Sequence, residues 1–168
     1  QKVRRASEET GVRVSNLYSG HGSYATLGLA HTDDDVRNRF FQKWLMPMVE
    51  LAGMLEAGIG FFCHAFPEDV MQSPEKYERK KEELIESLAR LSAYARECGC
   101  RFIALEQMYS PHQVPWTIGQ AQEIMESVFA LSKSPLYITI DTGHMSGQRK
   151  YRRPSDEVLL KALETQPG

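Results

Sequence analysis

The sequence predicts an α/β protein, part of a (β/α)8 barrel, and three observations carry that prediction. Short apolar, β-branched runs recur four times, each followed by a longer segment of helical periodicity. Those segments are long enough to make right-handed crossovers between parallel strands. No Gly-x-Gly-x-x-Gly follows a strand, so a doubly wound dinucleotide-type sheet lacks its fingerprint. A complete barrel takes about 250 residues. With 168 residues, a helix first and four strands after it, the chain corresponds to about strands 2 to 5 with their helices. Residues 1–168 are accordingly expected to be a single partial barrel domain, cut from something longer at both ends.

In order, Lys2 to Thr10 is charged and helical, closed by Gly11 as a left-handed cap. Val12 to Tyr18 reads as the first strand, and Ser19-Gly20-His21-Gly22-Ser23-Tyr24 as a ligand-facing loop. Thr32 and Asp33 to Asp35 mark a helix N-terminus, where acid complements the dipole. The helix face is Val36, Phe40, Phe41, Leu45, Met48, Val49, Ala52 and Leu55, and Pro47 inside it predicts a kink. Ile59 to Phe66 is the second strand. Ser73-Pro74-Glu75 starts a helix, with Ser at the cap and Pro at the first position, that buries Leu84, Leu88, Leu91 and Ala95 and stops at Gly99.

Arg101 to Glu106 is the third strand, and Thr117 with Gln120 forms a capping box for a helix to about Leu131. Leu136 to Asp141 is the fourth strand, after Pro135. Ser155-Asp156-Glu157 caps a last helix to about Glu164.

Composition narrows the function classes. The chain is 42% hydrophobic and 25% charged, which suits one sizeable core. A net charge of -2 speaks against a cationic nucleic-acid binder and for a small-molecule partner. Cys63, Cys98 and Cys100 are odd in number and form no framework of disulfides or Cys-x-x-Cys pairs, so a reducing, cytoplasmic setting is expected. No apolar run reaches the roughly 18 residues of a membrane span, and no signal peptide opens the chain.

Chemistry gathers at the strand ends. Parallel strands would bring His21, His64, Glu106, Asp141 and His144 to one mouth. Imidazole and carboxylate are ligands for Zn, Mn, Co or Mg, and the mixture leaves the ion undecided. The Asp-x-x-His spacing of Asp141 and His144 lets the acid leave the strand end while the histidine comes round the turn. A carboxylate at a buried strand end, as at Glu106, is costly without a cation or hydrogen-bond donors. Taken singly, His64 reads as a core histidine and His21 as a loop residue. Arg149, in the basic run Gln148 to Arg153, could hold a substrate phosphate or simply lie in a solvated loop. Tyr109, His112 and Trp116 could wall a sugar or pack their own loop.

These residues carry a resemblance. Leu105-Glu106-Gln107, Pro115 to Ile118 and Ile140-Asp141-Thr142-Gly143-His144 resemble the xylose isomerase-like TIM barrel superfamily, especially its sugar and sugar-phosphate isomerases and epimerases. The loop Ser19 to Leu29 with His31-Thr32-Asp33 and Arg37 resembles the segment after the second strand there, with Thr32 in place of a proline.

The resemblance implies one divalent ion held by a Glu, an Asp, a His and a second Glu from successive strands. Glu106 matches the first ligand and the acid/base, Asp141 the second ligand, and His144 a substrate contact beside the ion; the other two ligands would lie beyond Gly168. His64, His21, Trp116 and Arg149 complete the expected substrate surface. The reaction implied is proton transfer between adjacent carbons of a small sugar or sugar phosphate through an enediolate. This piece alone would then bind metal weakly and catalyse little. The expected partner is the sugar, with self-association into a homo-oligomer left open, no membrane and no nucleic acid.

A second resemblance, to endonuclease IV-type zinc phosphodiesterases acting on abasic DNA, rests on the same five residues and on His21-Gly22-Ser23-Tyr24. Gly143 stands where those enzymes have Cys, and Gln107 where they have Asn. A non-catalytic sugar-binding barrel is the third reading.

Overall fold

The computed structural model describes residues 2–19 and 27–147. The loop around His21, the basic run with Arg149, and the helix expected from Ser155 to Glu164 lie outside the described residues. The elements are α1 (Lys2–Thr10), β1 (Asn16–Tyr18), α2 (Asp34–Phe40), a π-helical turn (Phe41–Leu45), α3 (Met46–Met54) and β2 (Gly58–Phe61). They continue with α4 (Glu68–Met71), α5 (Pro74–Glu97), β3 (Ile103–Glu106), α6 (Ile118–Ser132), β4 (Tyr137–Thr139) and α7 (Thr142–Gly147).

The four strands form one sheet in the order β1-β2-β3-β4. All three pairings are parallel. Helices cross between successive strands, so the architecture is the expected partial (β/α)-type barrel.

Register sorts the side chains by face. Leu17, Ile59 and Ile103 share one row, and Phe61, Leu105 and Ile138 the next but one. With the two-residue period of a strand, these rows lie on one face. There they meet Leu45, Val49, Leu84, Leu88, Leu91, Ile124 and Val128 from the helices, which makes the core a layer between sheet and helices. The opposite face, the barrel's inside, carries Tyr18, Gly60, Ala104 and Tyr137 in a single row, with Glu106 two residues further along β3.

The helix boundaries follow their caps. Gly11 takes φ +71 and closes α1. Ser73 Oγ accepts the Lys76 amide at 3.3 Å, and Pro74 opens α5. That helix ends in a Schellman motif: Cys100 N–H donates to Ala95 O at 2.9 Å, Gly99 N–H to Arg96 O at 3.2 Å, and Gly99 has φ +70. Thr117 Oγ1 accepts the Gln120 amide at 3.2 Å; Gln120 Oε1 in return accepts from Trp116 N–H at 3.0 Å. The capping box is thus present with its return bond one residue early. Asp33 alone caps α2, accepting from the amides of Asp35 and Val36.

The expected strand boundaries are corrected. The strands are shorter than their apolar runs, because each run also supplies loop residues. Val12 is 70% exposed, and pairing begins only where Asn16 meets Gly58. The expected strand to Phe66 stops at Phe61, since Cys63 O accepts Ala30 N–H from the loop after β1 at 2.7 Å and His64 adopts φ 75. Leu136 to Asp141 yields only Tyr137–Thr139, as Asp141 turns to cap α7. Pro47, where a kink is expected, lies within a continuous helical segment from Asp34 to Met54. One π turn precedes it, with Met46 N–H bonded to Phe41 O, and the wider turn accommodates the ring and its missing donor. Among the described residues no helix is long and apolar enough to cross a membrane.

Candidate metal centre

Glu106 is the last residue of β3, and only 6% of its surface is exposed. It follows the apolar run Ile103-Ala104-Leu105, which fixes it at the C-terminal end of the sheet. Asp141 lies just after β4, the neighbouring strand, and His144 on the first turn of α7.

Asp141 divides its oxygens. Oδ1 accepts the amides of Gly143 at 2.7 Å and His144 at 3.1 Å, capping α7, while Oδ2 lies 3.7 Å from His144 Nε2. A Cβ at Gly143 would sit 3.0 Å from Oδ1, so glycine at that position keeps the cap uncrowded. His144 Nδ1 lies 3.0 Å from Gln107 O and 3.5 Å from Glu106 Oε1. A carbonyl and a carboxylate can only accept, which places the ring proton on Nδ1.

One ligand atom each from Glu106, Asp141 and His144 lies within 4.8 Å of the others. This is a cluster able to hold a divalent metal. Two carboxylates and an imidazole suit Mn, Co, Zn or Mg, and a buried glutamate next to a second acid is the kind of site where a cation offsets the cost of desolvation. The donor set therefore fits the group that the sequence implied.

Around the cluster, the Tyr109 ring tilts against His144 with centroids 5.2 Å apart. The Tyr18 hydroxyl donates to Glu106 Oε2. Neither Tyr18 nor the Gln107 carbonyl was singled out from sequence. Sequence carries no direct signal for Tyr18, because Gly60 comes beside it only through strand register.

His64 and Trp116, also expected at the site, lie in the segments that follow β2 and β3. His64 stacks on His31, centroids 5.5 Å apart and planes at 24°, and His31 Nδ1 accepts the Asp33 amide at 3.0 Å. The pair knits the loops after β1 and β2. His112 Nδ1 donates to Phe66 O at 3.1 Å beside an antiparallel bridge of Ala65 with Gln113, so it joins the loops after β2 and β3. Trp116 is half-buried immediately ahead of α6, its amide spent on Gln120. His21 and Arg149 lie outside the described residues.

A profile of the xylose isomerase-like TIM barrel family matches residues 1–164. No curated protein sequence matches the chain. Among solved structures, a candidate xylose isomerase from Rhodospirillum rubrum superposes with TM-score 0.76 at 17% identity, over 84% of this chain and 48% of that one. The 3-keto-D-glucoside 4-epimerase of E. coli gives 0.71 at 19%, over 96% and 59%. D-psicose 3-epimerase, in the presence of D-fructose, gives 0.68 at 16%, over 95% and 52%. At such identities the likeness is one of fold, and the chain spans about half the length of the structures it matches.

Proposed function

The chain belongs to the xylose isomerase-like TIM barrel family, and on that premise we propose that the protein is a metal-dependent isomerase or epimerase of a small sugar or sugar phosphate. The observation that carries the reading is the convergence of Glu106, Asp141 and His144 at the ends of adjacent parallel strands. Solved structures of the same fold include two named epimerases of sugars.

Glu106 and Asp141 would hold the ion, and His144 would present Nε2 to the same point as a contact for substrate oxygen. A bound divalent ion polarises a carbonyl and its neighbouring hydroxyl, which lowers the barrier to deprotonation of the carbon between them. Glu106 would take the proton from that carbon, acting as acid/base as well as ligand. In an isomerase it would return the proton to the adjacent carbon while the hydroxyl proton passes to the former carbonyl oxygen, and in an epimerase a carboxylate on the opposite face would return a proton to the same carbon. Asp141 is held for its role by the two amides on Oδ1, which leave Oδ2 turned to the centre. Tyr109 shields one side of the His144 ring. A further His and Glu from a longer barrel would complete the shell and the opposite face of the substrate.

The test is solvent exchange. Full-length protein with Mn2+ is incubated in D2O with a panel of aldoses and ketoses, and deuterium at the carbon beside the carbonyl is followed by NMR. Exchange that disappears with chelator and in Glu106→Gln supports the reading. Absence of exchange across the panel, together with three zinc ions bound per chain, would overturn the sugar reading.

A further inference from the structure

The Tyr18–Glu106 hydrogen bond spans two strand spacings. Tyr18 ends β1 and Glu106 ends β3, with β2 between them. A tyrosine reaches that far only if the intervening strand offers no side chain. Gly60 is the residue paired with Tyr18, and a Cβ there would lie 2.5 Å from both Cδ2 and Cε2 of the Tyr18 ring. The ring therefore lies across the backbone of Gly60. The next residue in the row, Ala104, is also small.

The two oxygens of Glu106 have different neighbours. Oε2 accepts from the Tyr18 hydroxyl, whereas Oε1 faces His144 Nδ1 at 3.5 Å. A carboxylate with one oxygen engaged by a donor is restricted in rotation and offers the other oxygen in a defined direction. Hydrogen-bonding partners of this kind tune how tightly a carboxylate holds a metal.

We propose that Tyr18 is a positioning residue for Glu106, fixing its carboxylate through Oε2 so that Oε1 is the oxygen presented to the metal, and that Gly60 is the clearance that makes this reach feasible. The assignment rests on the metal-holding role of Glu106 proposed above and adds two residues to that site.

The experiment measures Mn2+ alone binding to the full-length protein by titration calorimetry, in wild type, Tyr18→Phe, Gly60→Ala, the double variant and Glu106→Gln. Tyr18→Phe keeps the ring and loses only the hydroxyl; it is expected to raise the Mn2+ Kd about tenfold. Gly60→Ala keeps the hydroxyl but displaces the ring, and should weaken binding comparably. The double variant should then be no weaker than the weaker single variant, because both changes remove one contact. A purely structural role for Tyr18 would change the melting midpoint without moving Kd. A Kd within twofold of wild type in Tyr18→Phe, or full additivity in the double variant, overturns the proposal while loss of binding in Glu106→Gln leaves the metal reading standing. Undiminished binding in Glu106→Gln, or none in wild type, overturns both.

Discussion

Asp141 serves structure with one oxygen and chemistry with the other, and substitution can separate them. Asp141→Asn retains a carbonyl oxygen for the amides of Gly143 and His144 but loses the charge at Oδ2. Its expected outcome is a melting midpoint close to wild type with Mn2+ affinity down at least tenfold. Asp141→Ala loses the cap as well, at about 1 kcal/mol, or about 2–4 °C in a chain of this size. Calorimetry with and without Mn2+ distinguishes the two. The cysteines give a second residue-scale expectation. Burial pushes the Cys63 thiol well above its ordinary range and raises Cys100 as well, whereas Cys98 at the end of α5 is partly exposed. The thiolate is the nucleophile, so in the folded protein at neutral pH iodoacetamide should label Cys98 first and Cys63 only after denaturation. Peptide mass spectrometry reads the order, and early labelling of Cys63 would contradict the packing. Glu106, Asp141 and His144 were legible because their types are out of place at the end of an apolar run. Tyr18 was not, since its role depends on Gly60, 42 positions along the chain and brought beside it only by strand register.

At the scale of elements, legibility follows how local the cause is. The starts of α5 and α6 and the ends of α1 and α5 are set by one or two residues each, Ser73 with Pro74, Thr117, Gly11 and Gly99, and all could be read directly. The π turn before Pro47 could not, because it is the helix's adjustment to a proline rather than a preference of Phe41 to Leu45. The end of β2 was hidden for a related reason: Phe62 and Cys63 continue the apolar run, but the Cys63 carbonyl is taken by Ala30 in the loop after β1. Close approach between elements is equally silent in composition. Gly53 in α3 lies against the turn that follows α5, where a Cβ would be 2.1 Å from Cys98 O. Gly53→Ala, normally favourable in a helix, is therefore expected to destabilise by about 1–3 kcal/mol through backbone displacement. Urea unfolding measures this, and a gain in stability would show that α3 and the turn can separate without cost.

For the whole molecule, the two faces of the sheet pose different problems. The outer face is sealed by the helices, with Ile59, Phe61, Ile103 and Leu105 fully buried. The inner face is not sealed among the described residues: Tyr18 is 40% exposed and Tyr137 46%, and both belong to the strands at the edges of the sheet. Exposed aromatic rings on edge strands favour association with other chains. The structures of the same fold are about twice as long, so additional strands would lie beside these edges and cover the rings. A polypeptide of residues 1–168 alone should consequently self-associate and bind a hydrophobic dye such as ANS. One extended by the remaining strands of a barrel should bind little dye, and its Tyr18 and Tyr137 should be protected from surface labelling. Light scattering across a concentration series provides the measurement. A monomeric 168-residue chain with one cooperative melt and no dye binding would mean that the inner face is stable in water, and the partial-barrel account of that face would fail. The same extension bears on the site, because Glu106 belongs to that inner face and Asp141 and His144 lie beside it. Closing the barrel should therefore raise Mn2+ affinity as well as solubility, and a rise in one without the other would separate the completion of the metal shell from the closure of the sheet.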